Sequence, residues 1–280
     1  MAEVFRLCGF ADEASKDLGG QIAALAGNGM DLLEIRGVDG KNVADLTPAE
    51  AKETATRLAD GGIRVWSVGS PIGKCDISDP PETETDRFMR VLETAVILGA
   101  EKIRLFSFYG TSYADAERVL RRLDGFLDRA EGSGVRLCHE NEKDIFGDTA
   151  DRCALLLSSL PRLGGVFDPA NYVQCGVDTL DAWKKTGIYT DYCHIKDAGS
   201  DGLVVPPGQG DGHLRELLPL FAKRGIGVLT LEPHLKNFSG LAALEKGRPG
   251  VGGKTFASGR DAFDYAVRAL KKLIGEMDAK

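Results

Sequence analysis

Short apolar runs alternate along the chain with longer segments in which hydrophobic residues recur every three or four positions. The short runs have the length and composition of buried β-strands, and the longer segments have the period of amphipathic helices. Repeated switching between the two periods is typical of a parallel sheet whose strands are connected by helices. The eight predicted strands cover residues 4–9, 32–36, 64–68, 103–108, 135–140, 165–168, 191–196 and 227–232.

Capping residues mark the starts of two predicted helices. Thr47 is followed by Pro48 and Glu50, which places a hydroxyl at the N-cap, a proline in the first turn and a carboxylate at the third helical position. Ser258 and Asp261 repeat the same spacing before the last helical segment. We therefore expect helices to begin at these two points.

Eight strands, each followed by a helix, favour closure into one barrel. A (β/α)8 or TIM barrel, typically about 250 residues long, fits a chain of 280 residues. We therefore predict an α/β fold with a single domain over residues 1–280. An open doubly wound sheet is the alternative, but its first strand-to-helix turn is expected to contain a glycine-rich phosphate loop, and here that turn reads GFADEAS. The irregular segment 245–259 follows the eighth strand, which places it on the functional face of a barrel.

Charge and composition argue against several classes of partner. The net charge is −7, with 35 basic residues against 42 acidic ones and no basic cluster, so a nucleic-acid-binding surface is not expected. No apolar run reaches the roughly 20 residues of a membrane span, and the first residues lack the pattern of a secretory signal. The six cysteines form no CxxC pair and lie mostly in apolar runs. We therefore expect reduced, packed thiols in a cytoplasmic protein.

Four side chains able to bind a metal stand at the C-terminal ends of strands five to eight. They are Glu140, Asp168, His194 and Glu232, in the runs VRLCHE, GVFD, DYCHIKD and GVLTLE. These strand ends would meet at one mouth of a barrel, where chemistry is found in such folds. Three carboxylates and one imidazole suit Mn²⁺ first, with Mg²⁺, Co²⁺ or Zn²⁺ as alternatives, because a structural zinc favours thiolates.

An ordinary strand end is the alternative explanation for each of these four residues, since polar residues resume wherever a strand stops. Four consecutive strands ending in metal-binding residues are harder to explain in that way. A carboxylate directly after the apolar run VLTL, as at Glu232, would also be costly to bury without a partner, and metal coordination is one remedy.

Further polar residues share a strand face with these four, because residues two apart point to the same side of a strand. Glu142, Lys196 and His234 are candidate substrate contacts on this basis, and Lys196 and His234 would donate hydrogen bonds to substrate hydroxyls. Their alternative roles are an exposed loop lysine and a surface imidazole. Two more candidate contacts are Arg104 on the fourth strand and Lys74 in the turn SPIGK.

Glu34 and Arg36 also share a face, at the end of the second strand. We expect these two side chains to form an ion pair inside the barrel.

The segments CHEN, FDPANY, HIKDA and LEPH, with FADE and EIRG nearer the N-terminus, resemble the motif set of the xylose isomerase-like TIM barrels. This superfamily includes sugar phosphate isomerases, ketose 3-epimerases, inosose dehydratases and an endonuclease-four type of repair nuclease. The resemblance covers essentially the whole chain. It implies that Glu140, Asp168, His194 and Glu232 hold one divalent metal, and that Glu140 and Glu232 act as acid and base on opposite faces of a substrate. It also implies a homo-oligomer, by analogy.

Two positions depart from the pattern of ketose 3-epimerases. The pattern of those enzymes has D-x-x-H at the sixth strand, whereas this chain has Asn171 three residues after Asp168. The same pattern has a second glutamate six residues after the first, where this chain has Phe146. Asn171 is kept as a candidate substrate contact. The run HIKD, which contains Lys196, looks closer to inosose dehydratases.

The resemblance therefore implies a metal-dependent isomerase or epimerase that acts on a small sugar, keto sugar or polyol derivative through an enediolate. The alternative is a dehydratase or lyase on an inosose or 3-keto sugar at the same site, with Lys196 or His234 assisting the leaving group. A repair nuclease would need more histidines than the four present. A barrel that has lost catalysis and only binds a partner is disfavoured by the retention of all four expected metal ligands.

Overall fold

Eight parallel strands close into a barrel in which each strand pairs with its neighbours in the chain and the first pairs with the last. The computed structural model describes residues 4–236 and 256–278. The barrel strands, in chain order, are β1 Arg6–Gly9, β2 Leu32–Ile35, β3 Arg64–Gly69, β4 Lys102–Leu105, β5 Arg136–Glu140, β6 Gly164–Phe167, β7 Thr190–Ile195 and β8 Val228–Leu231. The predicted α/β class and single (β/α)8 barrel are confirmed. Whether one domain extends over the whole range 1–280 stays a prediction.

Helices connect the strands and cover the outside of the barrel. Those in the described part of the chain are α1 Leu18–Gly27, α2 Pro48–Asp60, α3 Pro81–Ile97, α4 Ala116–Ala130, α5 Ala150–Ser159, α6 Pro169–Gln174, α7 Thr179–Thr186, α8 Leu214–Arg224 and α9 Gly259–Asp278. Among the described helices, none has both the length and the apolar character that a membrane span needs. All six cysteines are free thiols.

The fourth strand differs most from its prediction, because it ends at Leu105 rather than at residue 108. The next residues leave the barrel ladder and pair with the loop after β3: the Phe106 amide donates to the Ile72 carbonyl at 2.8 Å, and the Phe108 amide donates to the Gly73 carbonyl at 2.9 Å. An apolar run alone does not reveal which partner its backbone will find. This pairing holds Lys74 at the mouth of the barrel.

Two different environments line the two faces of the sheet. The large apolar core lies between the strands and the helices and includes Leu137, Cys193 and Phe221. The lumen holds two small apolar clusters, which include Cys8 and Val166, and polar side chains towards the mouth. Tyr192 crosses it, since its hydroxyl on β7 donates to Glu34 Oε1 on β2 at 2.9 Å. The lumen is therefore packed, and the space for chemistry is at its C-terminal end.

Both predicted helix caps are present. Glu50 donates its amide to Thr47 Oγ1 at 3.3 Å while its carboxylate accepts from the Thr47 amide at 2.7 Å, which closes a capping box. The Asp261 amide donates to Ser258 Oγ at 3.0 Å at the start of α9. Of the irregular segment predicted at 245–259, residues 245–255 lie outside the described residues.

Replacing Thr47 with alanine should lower the free energy of unfolding by about 1 kcal/mol, because the first turn of α2 loses its side-chain acceptor. Urea denaturation followed by circular dichroism measures the change. Thr56→Ala is the matched control, since Thr56 is exposed on the same helix and its hydroxyl only bonds back to the Lys52 carbonyl. Equal stability of Thr47→Ala and Thr56→Ala would contradict the role of the cap.

Candidate metal centre

Glu140, Asp168, His194 and Glu232, here called the quartet, meet at the C-terminal mouth of the barrel. Each side chain offers one ligand atom, and these four atoms all lie within 4.8 Å of one another. All four residues are buried, with at most 4% of their surface exposed. The structure therefore brings together the four residues that the sequence placed at the ends of separate strands.

Asp168 owes its position to both the strand before it and the helix after it. Its backbone is clamped to Asn141, whose side chain donates to the Asp168 carbonyl and accepts from the Asp168 amide, both at 2.9 Å. Its Oδ1 caps helix α6 by accepting from the Asn171 amide at 2.9 Å. The other carboxylate oxygen, Oδ2, is buried and makes no hydrogen bond, although the Lys196 ammonium lies 3.0 Å away. A buried carboxylate oxygen that accepts no hydrogen bond is a natural ligand for a cation.

An arginine holds each of the two glutamates of the quartet. Arg104 Nε lies 3.0 Å from Glu140 Oε2, and Arg36 Nη1 lies 2.8 Å from Glu232 Oε1. The ring of Phe10 lies near both guanidinium groups, with centroid distances of 4.5 Å to Arg36 and 5.7 Å to Arg104. These contacts fix the orientation of both carboxylates.

The charged neighbours also set the ionisation of the two glutamates. Burial raises the pKa of Glu140, but His194 and Arg104 outweigh it, so that the pKa is lowered. Burial raises the pKa of Glu232 as well, but Lys196 and His234 outweigh it and hold that pKa well below its usual range. Both side chains are therefore ionised at neutral pH, the form that binds a metal or accepts a proton.

His194 lies between two carboxylates. Its Nδ1 is 2.9 Å from Glu140 Oε1, and its Nε2 is 3.2 Å from Glu34 Oε2. Burial lowers the pKa of His194, but Glu140 and Glu34 outweigh it and raise that pKa well above its usual range. In the metal-free protein the imidazole is therefore protonated, and a metal at Nδ1 would displace a proton.

The ion pair predicted between Glu34 and Arg36 is wrong. Glu34 faces His194, whereas Arg36 forms ion pairs with Asp12, Glu13 and Glu232. The pairing of β2 with β3 shifts register just before Glu34, and Arg36 lies beyond the last residue of β2. The two side chains consequently reach different parts of the mouth.

Negative charge exceeds permanent positive charge around the quartet. The carboxylates linked there by ion pairs or hydrogen bonds are Asp12, Glu13, Glu34, Glu140, Glu142, Asp168 and Glu232. The permanent cations among the described residues that form ion pairs with these seven carboxylates are five: Arg36, Lys74, Arg104, Lys143 and Lys196. Asp168 reflects the imbalance: burial, with Glu140 and Glu232, raises its pKa to about 6 despite Lys196. A divalent cation held by three oxygens and one nitrogen fits this site in both charge and donor type.

The residues predicted to contact substrate surround the quartet. The Lys196 ammonium lies 3.0 Å from both Asp168 Oδ2 and Glu232 Oε2, and His234 Nε2 lies 3.3 Å from Glu232 Oε1. Lys196 and His234 are each only 3% exposed, so the alternatives of a loop lysine and a surface imidazole are wrong. His234 also has a φ of 46°, a left-handed conformation that is uncommon outside glycine.

The other predicted contacts lie around the same mouth. Lys74 Nζ forms an ion pair with Glu142 at 3.0 Å and lies 4.3 Å from the centroid of the Phe106 ring. The Asn171 side chain donates to Glu140 Oε1 at 3.3 Å. Arg104, as described, holds Glu140.

Sequence reasoning missed Asp12 and Glu13, which follow β1 in the short helix Ala11–Glu13. Glu13 forms a second group with Glu232 and His234, whose ligand atoms also lie within 4.8 Å of one another. This second group offers two carboxylates and one imidazole, one carboxylate fewer than the quartet, so it is the poorer candidate for a metal. The FADE motif contained the signal, since two acids lie three and four residues after a strand end there.

Comparisons with known proteins agree with this fold. A family model described as xylose isomerase-like TIM barrel matches residues 22–272. No curated protein matches the chain at a significant level.

Several solved structures share the fold along nearly their whole length. D-psicose 3-epimerase from Clostridium cellulolyticum H10, solved with D-tagatose, is 16% identical with a TM-score of 0.74, covering 98% of this chain and 99% of that one. The probable 3-DHS dehydratase of petrobactin synthesis from Bacillus anthracis is 13% identical with a TM-score of 0.73, covering 95% and 98%. A xylose isomerase-like TIM barrel protein from Mycobacterium smegmatis, in complex with magnesium, is 16% identical with a TM-score of 0.70, covering 98% and 100%. At these identities the likeness shows the fold alone.

Asp168→Asn should abolish stabilisation by Mn²⁺ while leaving the metal-free protein at least as stable as the wild type. Asparagine still caps α6, and the change removes one buried negative charge. Mn²⁺ at a hundred times its Kd should stabilise the wild type by about 2.7 kcal/mol, which thermal unfolding with and without the ion measures. Retention of that stabilisation in the variant would contradict the assignment of Asp168.

The advantage of metal-free Asp168→Asn should grow as the pH rises from about 4 to about 6. The pKa of Asp168 is raised from 3.8 to about 6 in the folded protein, so the wild type loses stability across that window. For the response to Mn²⁺, Asp197→Asn is the contrasting control, because Asp197 accepts hydrogen bonds from the Gly208, Gly210 and Gly212 amides at 2.8 to 3.0 Å. That variant should be less stable but still respond to Mn²⁺.

Proposed function

Because the chain belongs to the xylose isomerase-like TIM barrel family, we propose that it is a metal-dependent isomerase or epimerase of a small sugar, keto sugar or polyol derivative. The observation that carries the proposal is the quartet, in which two ionised glutamates from strands three apart converge on one group of metal-binding atoms. A proton removed by one glutamate can be returned by the other at a different carbon or face.

The quartet would hold the metal, and Mn²⁺ is our first candidate because carboxylate oxygens dominate the donor set. Mg²⁺, which the structural neighbour from Mycobacterium smegmatis binds, is the next candidate, followed by Co²⁺ and Zn²⁺. When bound, such an ion polarises adjacent carbonyl and hydroxyl oxygens of a substrate and makes the neighbouring C–H bond more acidic.

Glu140 and Glu232 would carry the proton. Both are ionised, so both can accept a proton, and their lowered pKa values make them weak bases that need an acidified C–H bond. Arg104 and Arg36 keep each carboxylate in one orientation throughout the transfer. Both glutamates are also expected to bind the metal, and the ionised carboxylate is the form that serves in both roles.

Substrate hydroxyls would be bound by the donors around the quartet. Lys196 and His234 are buried beside Glu232 and present an ammonium and an imidazole towards the mouth. Lys74, Glu142, Asn171 and Arg104 complete the proposed set of contacts. A small polyhydroxylated molecule matches this mixture of donors and acceptors. The cytoplasmic location and the homo-oligomer stay predictions.

A dehydratase or lyase acting on an inosose or 3-keto sugar is the second candidate. Two observations favour it. Asn171 donates its side-chain amide to Glu140 at a position where the pattern of ketose 3-epimerases has a histidine. Lys196 places a buried ammonium 3.0 Å from Glu232. After Glu232 removes the proton beside the ketone, Lys196 Nζ would donate a proton to the departing β-hydroxyl. A structural neighbour with the same fold is described as a probable 3-DHS dehydratase, which supports this second candidate.

Glu232→Gln should fold normally and lose turnover by about 10²–10⁴-fold, since glutamine cannot accept the proton. The measurement is exchange of substrate C–H for deuterium in D₂O, followed by proton NMR over a panel of keto sugars and inososes with Mn²⁺. Glu276→Gln on the remote helix α9 is the control and should exchange at the wild-type rate. Undiminished exchange in Glu232→Gln would refute the assignment of the base.

The fate of the substrate should separate the two candidate reactions. An isomerase or epimerase yields a product of unchanged mass, whereas a dehydratase yields one lighter by a water and absorbing in the ultraviolet as an α,β-unsaturated ketone. We expect the first result. Mass spectrometry with ultraviolet detection checks it, and an unsaturated product would establish the lyase instead.

A further inference from the structure

Glu34 is a fully buried carboxylate that lies behind the quartet rather than in it. Its exposed fraction is 0%, and it stands on β2, across the lumen from His194 on β7. Its Oε2 lies 3.2 Å from His194 Nε2, while its Oε1 accepts from the Tyr192 hydroxyl at 2.9 Å and from Ser67 Oγ at 3.3 Å. Among the described residues, no lysine or arginine forms an ion pair with it. In that part of the chain His194 is its one basic contact.

We propose that Glu34 is a positioning residue that holds His194 in the tautomer and orientation needed to bind the metal. This inference rests on the proposed metal-dependent function. A carboxylate has no proton to give at Oε2, so Nε2 of the imidazole must be the donor and carry the hydrogen. Nδ1 is then the nitrogen left for the metal.

The position of Nδ1 agrees with that assignment. It lies 2.9 Å from Glu140 Oε1 and 3.9 Å from Glu232 Oε2, inside the quartet. Two aromatic rings fix the plane of the imidazole: Phe10 at a centroid distance of 5.3 Å and Tyr192 at 5.5 Å, both edge to face. The ring therefore has one nitrogen towards the metal-binding atoms and the other towards Glu34. Metal-binding histidines in proteins are commonly held in this manner.

Packing alone does not explain a carboxylate at this place. A buried negative charge without a lysine or arginine partner is costly, and a neutral side chain of the same size would satisfy Tyr192 and Ser67. The pairing of β2 with β3 also shifts register between Leu33 and Glu34, and such irregularities in a strand are common next to active sites. A function for the charge, through His194, accounts for both observations.

The affinity for Mn²⁺ tests the proposal without any substrate. Glu34→Gln keeps the size and one acceptor oxygen but loses the charge that fixes the tautomer, so its Kd for Mn²⁺, measured by calorimetry, should rise about 10–100-fold. Glu84→Gln is the matched control, because Glu84 is also buried but accepts from the Gly73 amide and does not contact the quartet. Its Kd should equal that of the wild type. Equal affinity of Glu34→Gln and the wild type, or equal weakening in both variants, would overturn the proposal.

The tautomer of His194 can be measured directly, and a merely structural role of Glu34 would not determine it. The chain has only four histidines, so their side-chain ¹⁵N signals can be assigned by single substitution. In the wild type loaded with Zn²⁺, His194 should show a protonated Nε2 and a metal-shifted Nδ1. A protonated Nδ1 would overturn the proposal. This measurement needs no Glu34 variant and so holds even if Glu34→Gln fails to fold.

The outcomes separate this inference from the function on which it rests. If the wild type binds none of Mn²⁺, Mg²⁺ and Zn²⁺, the proposed function is wrong and the role of Glu34 falls with it. If the wild type binds Mn²⁺ and Glu34→Gln binds it equally well, only the role of Glu34 is wrong.

Discussion

Buried negative charge at the mouth of the barrel is the constraint on which the rest of the site depends. Each carboxylate there has left water, so each needs a partner of opposite charge or a hydrogen-bond donor. Arg36, Arg104 and Lys196 supply part of that compensation. The excess that remains on the quartet, together with the lack of a hydrogen bond to Asp168 Oδ2, makes a divalent cation the natural complement. The arginine pairs of Glu140 and Glu232 and the contacts of His194 with two carboxylates are part of this balance.

The fold and the quartet were accessible from the sequence because both are local signals. Strands appear as short apolar runs, and Glu140, Asp168 and Glu232 stand directly at the ends of such runs. Contacts across the lumen were not accessible, since they join residues as distant as Glu34 and His194, which are 160 positions apart. Such contacts depend on strand register and on the exact reach of each side chain, as the wrong pairing predicted for Glu34 and Arg36 shows.

The two residues that depart from the epimerase pattern, Phe146 and Asn171, lie in different environments. Phe146 is fully buried in the apolar core and packs on Tyr113, so no polar group faces the substrate from that position. Asn171 lies in the mouth and donates to Glu140, where it can orient that carboxylate but cannot exchange a proton. Since the barrel is shared with proteins of different activities, the residues at the mouth, rather than the fold, decide the reaction.

Anomalous diffraction from a crystal soaked in Mn²⁺ tests the central claim most directly. The account predicts one peak at the mouth of the barrel, bound by Glu140, Asp168, His194 Nδ1 and Glu232, with the Lys196 ammonium no longer between Asp168 and Glu232. A peak at the neighbouring group formed by Glu13, Glu232 and His234, or no peak within coordination distance of the quartet, would contradict it.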